Sequence, residues 1–333
     1  MNNLAGKFHL MVMNGLKTLG TWLSRTEQQS KLAILIYHRV HPKPYNRIGL
    51  EVDAQLFDQQ MGLMAKYFNV LPLADAVQSL KNNSLPPRAV CITFDDGYAD
   101  NCEVALPILK KWQLPATFFI ASGFLNGGCM WNDKILEAVF QSPLNTLMLS
   151  EIDEHPLAID TKENKERTAN YLLSKLIYLP HAERAEKVEY VLQQAQVTAP
   201  NNLMMTVEQL CHMKQQGMDI GGHTCSHPIL ASLPEKEAEQ EIANNKAYLE
   251  SVLGEPLRVF AYPNGKPGRD YQAAHINIVK KLGYECAVST AWGVSSPDAD
   301  CYQLARFTPW DTSSGKFMLR HVLNYRNTLP EVV

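Results

Sequence analysis

The 333-residue sequence lacks a long apolar run, a regular cysteine framework and an excess of charge of one sign. Its net charge of -3 excludes the basic surplus that marks nucleic-acid-binding proteins. The seven cysteines are odd in number and irregularly spaced, which argues against a disulfide scaffold and predicts a reducing compartment. Internal repeats and low-complexity segments are also absent. What is left is an ordinary globular chain, long enough to bury a large core.

The N-terminal segment, residues 1–30, contains one amphipathic stretch between Phe8 and Leu23. It is too short and too interrupted for a membrane span, and it has no convincing signal-peptide cleavage site. Two alternatives remain open: a helix packed against the rest of the protein, or an interfacial helix on the inner membrane face. We therefore expect a cytoplasmic protein, peripheral on that membrane in the second case. The apolar face is predicted to consist of Phe8, Met11, Val12, Leu16, Leu19, Trp22 and Leu23.

From residue 31 onward, short apolar runs alternate with helical stretches. Near-continuous apolar strands that alternate with helices predict an α/β fold with a parallel sheet covered by helices, and a (β/α) barrel is the best architecture. A polar and largely helical stretch at about 124–205 interrupts this rhythm. We interpret it as an insertion in a domain of residues 31–333, serving either as a lid or substrate wall or as a scaffold patch. The predicted strands are residues 32–37, 68–71, 89–94, 116–121, 218–220, 258–261 and 285–289.

Two adjacent carboxylates, Asp95 and Asp96, follow the apolar strand at 89–94 and precede Gly97. An ionised carboxylate at the end of a buried strand costs several kcal/mol unless a partner offsets it, and a cation is the simplest partner. Side chains alternate along a regular strand, so both carboxylates can face one site only where the strand breaks. Gly97 is expected to provide that break.

A second polar cluster, residues 221–228, places His223 and His227 four residues apart behind a glycine pair. One carboxylate and two imidazoles would suit a divalent ion with an open coordination position, and the other carboxylate would then be free for proton transfer. Cys225, between the histidines, is either a further ligand or a small packed residue. Barrel enzymes place their chemistry at the carboxyl ends of the strands, where all these residues are expected.

Residues 93–97 and 223–228 resemble the first two motifs of the polysaccharide deacetylases, also known as the NodB-homology domain or carbohydrate esterase family 4. Residues 260–265 (Phe-Ala-Tyr-Pro-Asn-Gly) are similar to the third motif, and the resemblance runs from about residue 31 to about residue 311. It implies a distorted, incomplete barrel of about seven parallel strands. It also implies an enzyme that hydrolyses the amide bond of an N-acetylated sugar with the help of a metal ion.

The resemblance carries roles over to individual residues. Asp96, His223 and His227 match the metal ligands, and Asp95 matches the catalytic base. Asn264 matches the backbone N–H donor to the developing oxyanion. Zinc is the first expectation for this ligand set, and cobalt, nickel, iron and manganese are alternatives.

Two departures from the family pattern concern an arginine and a general acid. Ala261 stands where the family has the arginine that orients the base, and Arg306, after a late strand, is a candidate to replace it or to contact substrate. The family's last motif is matched in letters by His321, but His38 after the first strand is better placed. His38 would protonate the leaving amine, hold substrate, or act structurally.

Tyr262, in the third motif, is a further candidate for substrate binding. The regions around His38 and Tyr262 also resemble the biofilm poly-N-acetylglucosamine deacetylases. Partners are expected to be acetamido sugars, polymeric or lipid-linked, and not nucleic acid.

The leading prediction is therefore a metal-dependent N-deacetylase acting on an exopolysaccharide or cell-envelope glycan. One alternative keeps the chemistry but moves it to a lipid-linked or nucleotide-activated sugar precursor, deacetylated or deformylated at the cytosolic membrane face. Another, of a different class, is a catalytically inactive carbohydrate-binding barrel.

Overall fold

The computed structural model of the protein describes residues 2–25, 29–44, 51–328 and 330–333, with the side chains of residues 2–9 and 181 left aside. The chain divides into two compact units. One is Phe124–Thr206, and the other contains the rest of the described chain.

Regular elements account for most of both units. The helices are α1 (Asn2–Ser24), α2 (Ala54–Tyr67), α3 (Leu73–Lys81), α4 (Leu106–Trp112), α5 (Trp131–Gln141), α6 (Lys162–Leu176), α7 (His181–Gln194), α8 (Val207–Gln215), α9 (Glu235–Leu253), α10 (Ala273–Lys281) and α11 (Ser314–Asn324). The strands are β1 (Leu32–Tyr37), β2 (Val40–His41), β3 (Val52–Asp53), β4 (Asn69–Val70), β5 (Ala89–Phe94), β6 (Thr117–Ile120), β7 (Thr146–Leu147), β8 (Leu157–Ala158), β9 (Asp219–Gly222), β10 (Val259–Ala261), β11 (Cys286–Trp292) and β12 (Leu304–Arg306).

The larger unit is a parallel sheet that curls into a barrel. Its strand order is β1-β5-β6-β9-β10-β11-β12, and a parallel bridge between Leu35 and Phe307 returns the last strand to the first. The barrel is distorted at β5, whose amino-terminal half pairs with β4 and whose carboxyl-terminal half pairs with β6. The predicted distorted (β/α) barrel of about seven parallel strands is confirmed.

Burial explains why these segments form strands. Every residue of β1 and of β5 is buried, so both read as continuous apolar runs in the sequence, as strands covered on both faces do. Phe94, Tyr37 and Phe57 pack with ring centroids 5.2–5.7 Å apart, which fills the layer between α2 and the carboxyl ends of these strands. This core gives the polar residues that follow β1 and β5 a rigid base.

The smaller unit is mostly helical, with α5, α6 and α7 beside an antiparallel pair formed by β7 and β8. It has an apolar core of its own. The fully buried members are Ile135, Ala138, Val139, Leu147, Leu149, Ile159, Ala169, Leu172, Leu176, Val188, Val191, Leu192 and Ala195.

Within the N-terminal segment, residues 2–24 form the helix α1, which packs against the barrel through a face centred on Met13, Gly20 and Ser24. A Cβ at Gly20 would lie 3.1 Å from Val322 of α11, so the two helices approach closely there. The predicted apolar face is therefore not the packed one, because Met11 is 63% exposed and Trp22 is 73% exposed. None of the described helices is both long enough and apolar enough to cross a bilayer.

Candidate active site and metal centre

The paired carboxylates lie where β5 stops. The Asp95 N–H donates to the carbonyl of Tyr37, and positive φ angles begin at the next residue, 78° at Asp96 and 93° at Gly97. The break thus begins at Asp96 itself, one residue before the glycine. A left-handed conformation is uncommon outside glycine and best tolerated by Asp and Asn, so this turn is built from suitable residues. It directs both carboxylates to the same end of the barrel.

Asp96, His223 and His227 bring three potential ligand atoms together, all within 4.8 Å of one another. Asp96 Oδ1 lies 3.4 Å from Nε2 of each histidine, and it is buried without a hydrogen-bond partner in the described chain. Two ligand atoms about 2.1 Å from a common ion at a tetrahedral angle would be about 3.4 Å apart. An orphaned carboxylate oxygen at this spacing fits a divalent cation, because an unsatisfied buried charge is otherwise costly.

Both histidines present Nε2 to Asp96, but the pKa values of the two side chains are shifted in opposite directions. His223 Nδ1 donates to the carbonyl of Ala261 at 2.8 Å, which leaves the Nε2 lone pair facing Asp96. Burial lowers the pKa of His223, but Asp95 and Asp96 outweigh burial and raise it above its ordinary value. Burial lowers the pKa of His227 to about 4 despite the opposing effect of Asp96, so His227 is neutral near pH 7.

Asp95 is bound by Arg306 rather than by the ligand cluster. Arg306 Nη1 and Nη2 donate to Asp95 Oδ1 and Oδ2 at 2.7 and 2.8 Å, while Arg306 Nε donates to the carbonyl of Ser289. Burial raises the pKa of the Asp95 carboxyl, but the Arg306 and His223 charges outweigh burial and hold it below its ordinary value. Arg306 is itself only 1% exposed, so this is a buried bidentate ion pair and not a surface salt bridge.

Two α9 residues that the sequence did not single out hold the histidine loop. Glu241 accepts hydrogen bonds from the N–H groups of Cys225 and Ser226, both at 2.9 Å. Asn245 Oδ1 accepts from the His223 N–H at 3.1 Å, and Asn245 Nδ2 donates to the carbonyl of Thr224 at 2.6 Å. Glu and Asn four residues apart share one helix face, and this spacing was the available signal.

The glycine pair before His223 permits this close approach. A Cβ at Gly222 would clash with the Tyr284 hydroxyl and would lie 2.8 Å from Asn245 Oδ1. A Cβ at Gly221 would lie 2.5 Å from the Phe119 ring. Both glycines are therefore required by packing between β9, β6 and α9.

His38 follows β1 and lies near the two carboxylates, since its charge contributes to lowering the pKa of both Asp95 and Asp96. The His38 residue is exposed, whereas the backbone around it is held by hydrogen bonds. Asn101 Nδ2 donates to the His38 carbonyl at 2.8 Å, and the Asp100 carboxylate accepts from the Val40 N–H and from Arg39. These anchors, which sequence reasoning missed, fix the backbone on which the imidazole is mounted.

Asn264 caps the third motif with a left-handed backbone, φ 57°, and its side chain is exposed. Its carbonyl accepts from the Thr290 hydroxyl at 2.8 Å. Its own N–H has no acceptor among the described residues, so this donor is available for another group. The third motif thus presents a backbone donor after β10, at the same end of the barrel as Asp95 and His223.

Three other sequence candidates lie elsewhere. Tyr262 is fully buried and stacks on Tyr271 with the ring centroids 3.9 Å apart. Contrary to the prediction, its side chain is therefore not accessible to a substrate. His321 is 1% exposed in α11 and packs against Phe68, Phe307 and Phe317, and burial lowers its pKa to about 4, so it is a core residue. Cys225 lies outside the ligand cluster, with its sulfur beside the Ser122 hydroxyl at 3.7 Å.

We expect Glu241→Gln to weaken divalent metal binding by about 10–100-fold, the usual cost of losing a group that orients a ligand. The Cys225 and Ser226 N–H groups donate to Glu241 Oε2, and the Ser226 hydroxyl donates to Oε1 at 2.8 Å. The Gln amide has no charge to strengthen the first two bonds and places an NH₂ donor where Oε1 accepted from the hydroxyl, so the loop relaxes. Metal titration calorimetry measures the effect. Glu237→Gln, an exposed residue one turn earlier on α9, is the matched control. Equal affinities in the two variants would contradict the orienting role.

We expect Arg306→Met to destabilise the fold by about 3–5 kcal/mol at neutral pH, because Asp95 is left as an unpaired buried charge. In the native protein Asp95 has a lowered pKa, so its stabilisation is complete above the unfolded pKa of about 3.9 and is lost as the pH falls through the native pKa. Without Arg306, burial raises the native pKa, so the destabilisation should shrink toward acid pH.

Urea unfolding with a chelator present, at neutral pH and near pH 4, measures this difference. In a double-mutant cycle, adding Asp95→Asn to Arg306→Met should recover part of the loss, because the uncompensated charge is then gone. Strictly additive losses would show that the two side chains are not energetically coupled.

A polysaccharide deacetylase family model matches residues 82–146 and 174–287, which include Asp95, Asp96, His223, His227 and Asn264. The chain belongs to the polysaccharide deacetylase family, whose members are hydrolases of amide carbon–nitrogen bonds. The Bacillus subtilis (strain 168) protein YxkH is 23% identical over 287 residues, which cover 86% of this chain and 73% of that relative.

Solved structures share the fold. The Streptococcus pyogenes deacetylase PplD in complex with acetate has a TM-score of 0.60 at 24% identity, covering 88% of this chain and 99% of that one. IcaB from Ammonifex degensii has a TM-score of 0.55 at 19% identity, covering 89% and 97%. A de-N-acetylase from Aggregatibacter actinomycetemcomitans has a TM-score of 0.56 at 17% identity, covering 88% and 100%.

Proposed function

We propose that this protein is a divalent-metal-dependent N-deacetylase of an acetamido-sugar polysaccharide, an exopolysaccharide or cell-envelope glycan. The observation that carries the proposal is the buried, unpartnered Asp96 Oδ1, 3.4 Å from two imidazole nitrogens and next in sequence to a second carboxylate. Asp96, His223 and His227 would hold the ion. When bound, the ion would polarise the acetyl carbonyl and acidify a water molecule.

Asp95 is the proposed general base. Its Oδ2 lies 4.0 Å from His223 Nε2, so the carboxylate borders the ligand cluster without belonging to it. Arg306 donates to both oxygens of the Asp95 carboxylate, which fixes the orientation of the carboxylate plane and keeps the group ionised. The carboxylate can then accept a proton from the attacking water. The lowered pKa makes Asp95 a weak base. A weak base is sufficient here, because the bound ion would lower the pKa of the attacking water.

The acetyl oxygen becomes negative as water attacks the amide carbon. The backbone N–H of Asn264 is proposed to donate to that oxygen, since no described residue occupies this donor. Such a donor needs no reorganisation during the reaction, because its turn is fixed by the hydrogen bond from Thr290 to the Asn264 carbonyl.

The sugar nitrogen must gain a proton to leave as an amine. His38 is the proposed donor, because it is exposed at the end of β1 and is close enough to influence the pKa of both carboxylates. His321 cannot serve, since it is buried against Phe68, Phe307 and Phe317. Zinc is the proposed ion, because two imidazoles and one carboxylate suit it well, with cobalt, nickel, iron and manganese as other divalent candidates.

Acetate release from a panel of acetamido sugars tests the proposal. The panel contains N-acetylglucosamine oligomers, an N-acetylated polysaccharide and a lipid-linked acetamido sugar, each assayed with metal and with a chelator. We expect acetate from the oligomers and the polysaccharide, loss with chelator, and recovery when divalent metal is returned. The proposal fails if the metal-loaded protein releases no acetate from any of them, or if the chelator has no effect.

A further inference from the structure

Helices α1 and α11 carry half of the large apolar side chains that the described chain exposes. Trp22, 73% exposed, and Met11, 63% exposed, are the two most exposed of these fourteen side chains. Exposed apolar residues are common singly, but a concentration on two neighbouring helices marks an interaction surface. The seven on α1 and α11 are Leu10, Met11, Val12, Leu19, Trp22, Leu319 and Leu323.

The two helices form one surface, here called the α1–α11 surface. Gly20 of α1 approaches Val322 of α11, and α1 directs Met13 and Ser24 toward the barrel. The stripe of Met11, Val12, Leu19 and Trp22 lies on another face of α1 and stays uncovered in the described chain. On α11, Leu319 and Leu323 repeat at the four-residue spacing of a single helical face.

The charge of the α1–α11 surface is of one sign. Residues 2–25 and 314–327 contain no Asp or Glu but six Lys or Arg residues, a net charge of +6. The whole chain carries -3, so the remaining residues carry -9. The six are Lys7, Lys17, Arg25, Lys316, Arg320 and Arg326.

Most of these cations are available to a partner. Lys17, Arg25, Lys316 and Arg326 are exposed, and none of the four forms an ion pair within the described residues. Arg320 is bound to Asp311. Four of the six basic side chains are therefore exposed beside the apolar stripes without an ion-pair partner among the described residues, and Arg320 is neutralised by Asp311.

A groove of about 590 Å³ adjoins α11 and is lined by both apolar and basic side chains. Leu319, Leu323 and Trp292 supply its apolar wall, and Lys316 and Arg326 supply positive charge. Trp292 is the last residue of β11 and pairs in register with Arg306, which binds Asp95. The groove thus extends the apolar and basic character of the α1–α11 surface as far as β11.

We propose that the α1–α11 surface docks the protein on an anionic lipid membrane. An exposed apolar stripe with tryptophan, flanked by lysine and arginine, has the chemistry of a helix lying in the membrane interface. Like charges oppose the pairing of two copies through this surface, whereas anionic headgroups attract each basic residue. This proposal stands apart from the proposed deacetylase activity.

Vesicle co-sedimentation of the full chain tests the proposal, with phosphatidylcholine vesicles that contain or lack phosphatidylglycerol. We expect binding only to the anionic vesicles, weakening with added salt. Lys17→Glu and Lys316→Glu should each reduce binding at least about fivefold, the effect of one basic charge near an anionic surface. The double variant Met11→Ser/Trp22→Ser should abolish binding while leaving the fold intact, because both side chains are exposed.

Matched controls are Met148→Ser, which is 57% exposed on the smaller unit, and Lys236→Glu, exposed at the start of α9. Both should bind vesicles as the unaltered protein does. No binding to anionic vesicles, or equal losses in controls and test variants, would overturn the proposal. So would a concentration-dependent dimer in sedimentation velocity that Met11→Ser/Trp22→Ser dissociates, because the apolar face would then be covered by a second copy.

Discussion

We expect His223→Ala and Asp96→Ala each to abolish stoichiometric metal binding and, with it, amide hydrolysis. Only three side chains contribute to the ligand cluster in the described chain, so two remain after either change. The loss should exceed the ~10–100-fold that follows from removing an orienting group. Metal content by elemental analysis and acetate release from an acetamido-sugar oligomer measure the two effects.

His212→Ala is the matched control, because this imidazole is exposed on α8 and outside the cluster. It should retain both metal and activity. Thermal unfolding in chelator separates loss of the ion from loss of the fold. Full metal occupancy in His223→Ala would place the metal centre elsewhere in the protein.

We expect Asp95→Asn to keep the metal but to lower kcat by about 10²–10⁴-fold, the contribution of a positioned general base. The amide can accept a hydrogen bond from water but cannot take its proton. Asp95 also neutralises the buried Arg306, so this variant should be less stable, and rates should be measured well below its unfolding temperature. Activity should be expressed per folded, metal-loaded molecule.

Asp298→Asn, at an exposed carboxylate, is the control for the chemical change itself and should be fully active. A wild-type rate in Asp95→Asn would rule out the base assignment. A parallel loss of metal would instead make Asp95 a ligand, contrary to its two bonds with Arg306.

Several features could be predicted from the sequence because their causes are local. The apolar runs of β1 and β5 identify buried strands, and Asp95, Asp96 and Gly97 mark the point where one of them breaks. His223 and His227 share a short loop, so their proximity follows from spacing alone. Barrel geometry then places both clusters at one end, because all the strands run parallel.

Other features depend on contacts between distant segments. Arg306 meets Asp95 across 211 residues, and the pairing exists because the strand that ends in Arg306 returns to β1 and closes the barrel. Asn245 reaches the histidine loop from a helix, and Tyr262 turns into the core although its neighbour Asn264 is exposed. No local pattern specifies which buried polar groups will find each other.

In the N-terminal helix, too, the local sequence determined some features and the tertiary structure determined others. The sequence of α1 determined that it is an amphipathic helix without acidic residues. It did not determine which side packs, because Met13 is apolar on the face opposite the stripe of Met11, Val12, Leu19 and Trp22, and the apolar Leu16 lies between the two faces. The close approach that Gly20 allows to α11 decided the packed side in the tertiary structure, and left the tryptophan outside.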